Sequence, residues 1–399
     1  MIPEKGEMFN HWSLDRKTVF LNHGSFGATP VSVMEEQDRI RRVMESDPVH
    51  FVERLSNEMW QDSVLELSRF LNADPEGMLF VANATTGVNT ILRSLDLSEG
   101  DEIIVPDHAY QACRNAIDFV TKRSGAKTVV VKIPFMINDD SDIIDPIMSA
   151  ISEKTVLAMI DTVSSPTGIR MPFEKLVKMI QETGVDVLVD AAHGPGIVPL
   201  DVDKLNASYI TGNCHKWICA PKGSAFLHIR EDKRDGVKPL VIGHGHSSEL
   251  APNEKFRLEF DWTGTRDPSP WLCIPHAIEH VGSMVPGGWT GVMERNHKMA
   301  IFGRDLLCEV LDVTPPTPDY MVSSMSSIEF PGNEDIVSIP IDGDPIHNQL
   351  YDDYRIQVPV ISWPNHNSKY IRISAQLYNS EEEYEYLSDC LLYTSPSPR

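Results

Sequence analysis

Cysteine is scarce in this chain of 399 residues: six in all, at positions 113, 214, 219, 273, 308 and 390, with no C-x-x-C pair. That spacing signals neither a disulfide framework nor a zinc ribbon, and it fits a reducing, cytoplasmic compartment. Long apolar runs are also missing: nowhere do 18 apolar residues follow one another, and Met1–Glu7 carries two acids with no apolar stretch behind it. The expectation is a soluble chain that is neither exported nor membrane-bound. Basic charge is the third deficit, with 35 Lys and Arg against 58 Asp and Glu and a formal charge of −23. An electrostatic footprint for nucleic acid or anionic lipid is therefore absent, and any anion must be held by a local site. Finally, neither G-x-G-x-x-G nor G-x-x-x-x-G-K-[ST] occurs, so dinucleotide and P-loop sites lose their motif support.

What is present is the composition of a packed protein, 41% apolar and 23% charged, at a length that implies more than one core. Between about residues 60 and 230, short β-branched runs alternate with helical patterns, the signature of a parallel sheet covered by helices. Seven strands are predicted: 78–82, 102–105, 128–132, 156–161, 185–190, 209–211 and 224–229. After about Pro275 a long helical stretch runs through Glu309, followed by strand-like runs at 326–330, 336–341 and 370–374 and a helix over 380–392. This reads as an α/β domain over 31–275, a smaller α+β domain over 276–392, and an N-terminal segment, 1–30, that drapes near the site between them. The end, 393–399, resembles translated adapter read-through and is set aside.

Ligands of an open parallel sheet sit beyond the carboxyl ends of its strands. After the first predicted strand, Asn83-Ala-Thr85-Thr86-Gly87 opens a helix whose free N–H groups and two hydroxyls suit a phosphate, although Thr-Thr there also serves as a plain N-cap. The run Val185 to Asp190 ends in an acid, with His193 three residues on; an ionised Asp there can hold a protonated ring nitrogen of a heteroaromatic cofactor or simply cap a turn. Past the next strand stands Cys214-His215-Lys216-Trp217, where partial desolvation lowers a lysine's pKa and prepares it as a Schiff-base nucleophile. Two features take a plain reading. Gly243-His-Gly-His246 has no third ligand nearby in sequence and is not read as a metal site, and Glu381-Glu-Glu383 reads as a solvated helix start.

Six motifs in order carry a family resemblance: Phe20-Leu-Asn-His-Gly-Ser-Phe-Gly-Ala-Thr-Pro30, Asn83-Ala-Thr-Thr-Gly87, Val189-Asp-Ala-Ala-His193, Gly212-Asn-Cys-His-Lys-Trp217, Asp261-Trp-Thr-Gly-Thr-Arg-Asp-Pro-Ser269 and Arg372-Ile-Ser-Ala375. Together they resemble the isopenicillin N epimerase-like branch of the class V aminotransferases, pyridoxal 5'-phosphate (PLP) enzymes of fold type I. The resemblance implies an α/β fold with a large, mainly parallel seven-stranded sheet and a smaller α+β domain. It implies that Lys216 bonds the cofactor, Asp190 pairs with its ring nitrogen and His193 donates near its phenolic oxygen, where Ser165 stands in for an Asn of the cysteine desulfurase relatives. Thr85 and Thr86 match the phosphate loop, with His215 the neighbouring donor and Asn213 where desulfurases often have Ser. His108 matches the residue stacked on the ring, with Tyr110 as an alternative. Thr265 resembles the threonine that reaches the other subunit's cofactor phosphate, which implies a homodimer with shared sites. Arg372 matches the residue that grips the substrate carboxylate, and Asn22 is grouped with it in substrate binding.

The implied substrate is an amino acid, a small molecule whose side chain the motifs leave open. Residues 309–389 contain no cysteine, which argues against persulfide chemistry and leaves C–S β-lyase, epimerase and transaminase. Within this branch the cysteine desulfhydrases and hercynylcysteine sulfoxide lyases make β-elimination from a cysteine or cysteine S-conjugate the first expectation and epimerisation the second. A non-catalytic binding protein would have no need of both Lys216 and Asp190.

Overall fold

The computed structural model describes residues 2–331, 344–362 and 369–394. Twelve strands form among them: β1 (Val19–Phe20), β2 (Met78–Val81), β3 (Glu102–Pro106), β4 (Lys127–Val131), β5 (Thr155–Asp161), β6 (Asp186–Ala191), β7 (Tyr209–Asn213), β8 (Ala225–Ile229), β9 (Met325–Phe330), β10 (Ile356–Gln357), β11 (Val360–Ser362) and β12 (Lys369–Ser374). The seven runs expected between 78 and 229 all become strands of one sheet, ordered β2-β8-β7-β6-β5-β3-β4. Only β8 runs against its neighbours, so the other six present their carboxyl ends along one edge.

Alternation along these strands feeds two cores. Ala158, Ile160, Val187 and Val189 pack on one face, whereas Leu157, Met159 and Leu188 pack on the other. Burial on both sides explains why the strands read as continuous apolar runs. The covering helices show the complementary stripe. In Phe173–Glu182, Phe173, Leu176, Val177 and Ile180 are buried, a spacing that sets them on one side of a helix.

A second sheet, β11-β12-β9, is antiparallel throughout and packs with helices Gly288–Leu311 and Glu381–Thr394 through Leu307, Leu311, Ile328, Ile371, Ile373 and Leu387. The helical stretch expected through Glu309 is interrupted. Helices Ile274–Ser283 and Gly288–Leu311 are parted at Pro286-Gly287, where Gly287 takes a φ of +86°, a left-handed turn that glycine adopts without strain. The strand expected at 336–341 and the final residues 395–399 lie outside the described residues.

Two further findings concern the chain ends. β1 pairs in parallel with β10, and Leu21 joins the core of the small sheet, so the N-terminal segment is woven in rather than laid on top. The acidic run at 381–383 is not wholly solvated, which corrects the sequence reading. Glu381 and Glu382 are exposed, but Glu383 is buried in an ion pair with Lys5 and accepts from Asn379 Nδ2 at 2.8 Å. The partner that makes this burial tolerable lies at the other end of the sequence, outside any local window.

Candidate active site

Asp190 is the penultimate residue of β6, in register with Asp161 of β5 and Thr211 of β7. Its Oδ1 accepts from the Ala192 amide at 2.9 Å, and the Cys113 thiol donates to Oδ2 at 3.3 Å. Burial raises the proton affinity of both acids. Asp161 is pushed further by the Asp190 charge, and its Oδ2 has no partner among the described residues. The Ala192 amide and the Cys113 thiol, and Lys216 whenever it is protonated, support charge on Asp190, so Asp161 is the neutral member and Asp190 the carboxylate.

On the neighbouring strand of the sheet edge, the lysine loop follows β7. Lys216 Nζ lies 3.0 Å from His193 Nε2, and the Trp217 indole donates to His193 Nδ1 at 3.2 Å. Burial, then the Arg372 charge, brings the Lys216 amine down to about 7, against the pull of Asp190. His193 is held neutral, first by burial and then by the surrounding cations. His215 Nδ1 donates to the Ser224 carbonyl at 2.9 Å, leaving Nε2 as its other face, and burial lowers its pKa to about 4.

The loop after β2 opens helix Ala84–Ser94. Asn83 caps it, its Oδ1 accepting from the Thr86 amide at 2.8 Å and the Thr86 hydroxyl at 3.0 Å, and Asn213 Oδ1 accepts from the Ala84 amide at 2.9 Å. Asn213 thus braces the helix start onto the strand that leads to Lys216. Thr85 and Thr86 are half-buried on this first turn. The helix passes so close to β7 that a Cβ on Gly87 would lie 2.1 Å from the Thr211 hydroxyl. Only glycine permits this approach.

Arg372, on β12, reaches the same edge from the small sheet. It donates to the Ser165 carbonyl, to Ser25 Oγ at 3.0 Å and to Asn22 Oδ1 at 3.4 Å, while its Nε has no partner among the described residues. No carboxylate among the described residues pairs with this buried guanidinium, whose pKa falls to about 10 through burial alone. A buried cation without an acid is costly and suits an anionic ligand.

The remaining candidates are placed differently. His108 is fully buried, with Nε2 donating to the Ile133 carbonyl at 3.1 Å and Nδ1 3.2 Å from the Thr167 hydroxyl, whereas Tyr110 is 46% exposed. Thr265 is not brought to Lys216 within this chain. It is exposed on the loop after helix Pro252–Asp261, where Arg266 sits between the Trp60 and Trp271 rings and donates to the Thr263 hydroxyl at 2.7 Å. His246 bonds Glu259 at 3.1 Å instead of a second imidazole.

Sequence reasoning gave His23 and Ser25 no role beyond membership of a specificity loop, Asn22 to Phe26, gave Trp217 none beyond flanking the lysine, and gave Cys113 and Tyr378 none at all. The Lys216 carbonyl can only accept, so His23 Nε2 donates to it at 2.9 Å and Nδ1 accepts from the Tyr378 hydroxyl at 2.9 Å. Burial keeps His23 neutral, with a pKa of about 3. His23, Ser25 and Trp217 stood inside quoted motifs, a signal that was available; Cys113 and Tyr378 had none.

The sheet order, the small sheet and the lysine beyond the strand ends define the PLP-dependent enzymes of fold type I. Cysteine desulfurase from Thermococcus onnurineus NA1 shares this fold, with a TM-score of 0.79 at 22% identity over 99% of this chain and 98% of its own. Residues 30–333 match the aminotransferase class-V family model, and the chain belongs to that family. It is 31% identical to the probable chloroplastic L-cysteine desulfhydrase of Arabidopsis thaliana, over 93% of this chain and 82% of that one. It is 29% identical to the isopenicillin N epimerase of Amycolatopsis lactamdurans, over 95% and 96% of the two chains.

Proposed function

We propose that this chain is a PLP-dependent C–S β-lyase acting on cysteine or a cysteine S-conjugate. The observation that carries the reading is a buried amine held near neutrality, at Lys216, facing a buried guanidinium that no acid balances, at Arg372. The donor set fits the cofactor: an amine for its aldehyde, the Asp190 carboxylate for its ring nitrogen, His193 and Ser165 beside its phenolic oxygen, and Thr85, Thr86 and His215 for its phosphate. His108 suits the ring face. When bound, PLP supplies an electron-poor ring that stabilises negative charge at the substrate α-carbon.

The protein's own residues do the rest. Arg372 binds the α-carboxylate through its two-pronged donors, oriented by Asn22, Ser25 and the Ser165 carbonyl. Lys216, unprotonated above about pH 7, takes the α-proton at Nζ. Breaking the Cβ–S bond then releases the sulfur group, and hydrolysis yields pyruvate and ammonia. Epimerisation would need a proton donor on the opposite face, and the His108 Nε2 proton is spent on a backbone carbonyl. That favours elimination.

The same reading includes a homodimer in a cytoplasmic compartment, with Thr265 of a second copy completing the phosphate site. Leu240, Val241, Ile242 and Leu250 are 42%, 56%, 57% and 51% exposed, an apolar face near the Thr265 loop in sequence and of a kind that subunit contact covers. Six buried cysteines with no disulfide among the described residues suit a reducing environment. Among those residues no helix is long and apolar enough to cross a membrane.

The test is to incubate the holoenzyme with L-cysteine and S-substituted cysteines in deuterated water. Equimolar pyruvate and ammonia are expected. Recovery of α-deuterated amino acid of inverted configuration without pyruvate would install the epimerase in its place.

A further inference from the structure

Trp217 follows the lysine directly and is almost wholly buried, 1% exposed. Its indole N–H is a donor and never an acceptor. Because it points at His193 Nδ1 from 3.2 Å, that nitrogen must offer a lone pair, and the proton of a neutral His193 ring must sit on Nε2. Nε2 lies 3.0 Å from Lys216 Nζ. A neutral amine can accept there, whereas an ammonium would set two donors head to head.

We propose that Trp217 is a positioning residue that locks His193 in the Nε2–H tautomer, so that the imidazole donates to Lys216 Nζ and favours the free amine. The indole acts through the histidine, with its one N–H directed at Nδ1. The inference deepens the reading given above, because a free amine at Lys216 is what that reading requires. Other groups act on the same amine and do not depend on the indole. Arg372 opposes its protonation, while Asp190 and Cys113 favour it. His193 in turn faces Lys216, Arg372, His23 and His215. Replacing the indole by a phenyl ring leaves all of these in place and removes one N–H.

The experiment uses the full chain without cofactor, carrying isotope-labelled histidine, and a long-range proton–nitrogen correlation spectrum at neutral pH. The His193 signals are assigned by their loss in His193→Gln. Nδ1 should resonate as an unprotonated nitrogen and Nε2 as a protonated one; a protonated Nδ1 in the neutral ring overturns the proposal outright. In Trp217→Phe the ring should shift towards the Nδ1–H tautomer. The midpoint of Lys216 acetylation against pH, read by peptide mass spectrometry, should then rise by about one unit, a tenfold loss of free amine below it. A midpoint that stays put while the tautomer moves would also overturn the proposal. Should Trp217→Phe fail to fold, the wild-type spectrum still decides. Failure of the wild-type chain to take up PLP would remove the functional reading alone, since the tautomer is read without cofactor.

Discussion

Lys216 and Arg372 are both cations enclosed at the sheet edge without an ion pair among the described residues, and they answer burial in opposite ways. The amine can shed its proton, and its environment, with a neutral histidine at 3.0 Å and a guanidinium across the site, encourages it to do so. The guanidinium remains protonated at any physiological pH even with its pKa lowered to about 10. One cation is therefore optional and the other obligatory. An incoming amino acid meets this asymmetry with the matching ends of its own structure, a carboxylate for the fixed charge and an amino group for the adaptable nitrogen.

The largest expected effect breaks the adaptable end. Lys216→Ala should lower turnover of cysteine by roughly a thousandfold or more while the far-UV circular dichroism is kept, because the side chain contributes proton transfer and little packing. Residual activity near the wild-type level would remove Lys216 from the chemistry. Breaking the fixed end should cost less and show a signature of its own. Arg372→Met should reduce kcat/KM by roughly 10- to 100-fold, the worth of a charged hydrogen bond, yet raise the melting temperature of the substrate-free protein by removing a buried charge with no acid beside it. A fall in both would mean that the bonds to Ser165, Ser25 and Asn22 stabilise the fold more than the charge strains it.

The coupling between the two ends is tested by pH. Lys216 is free to act as the base only once the substrate amine has taken its place, and its unprotonated form is the active one, so kcat should rise with pH through about 7 and level off above it. In Arg372→Met the midpoint should move upward, since the charge that opposes Lys216 protonation has gone; an unmoved midpoint would show that burial alone sets it. The smallest effect belongs to the frame. Asn83→Ala removes the cap of helix Ala84–Ser94 and should cost about 1 kcal/mol in chemical denaturation, with cofactor affinity falling alongside if the first turn holds the phosphate.

The same contrast governs what could be read in advance. All seven strands of the large sheet were legible, because burial on both faces writes β-branched runs directly into the chain. Asp190, His193 and Lys216 were legible as polar residues just past such runs. The surroundings of Arg372 were not, since Asn22, Ser25 and Ser165 reach it from sequence separations of 350, 347 and 207 residues. The burial of Glu383 by Lys5, 378 residues away, escaped for the same reason. Cys113 donating to Asp190 needed the helix after β3 to be placed against β6, and no local pattern announces that.

Gly27 carries a consequence for how the molecule is made. Its φ of +71° lets the N-terminal segment lie so close to the lysine loop that a Cβ there would fall 2.2 Å from the His215 carbonyl oxygen. That segment is itself tied to the far end of the chain, with the Ser374 amide donating to Leu21 O at 2.9 Å and the Gly24 amide donating to Ser374 Oγ at 3.1 Å. On the ribosome, Lys216 emerges well before Ser374 exists, an interval of roughly 8–30 s at ordinary elongation rates. Through that interval the nascent chain holds its nucleophile without Arg372 and without the segment that clamps the loop. The reactive amine and the group that selects its substrate are therefore assembled together, once Ser374 has been made, by closing a loop whose ends, Gly24 and Ser374, are 350 residues apart.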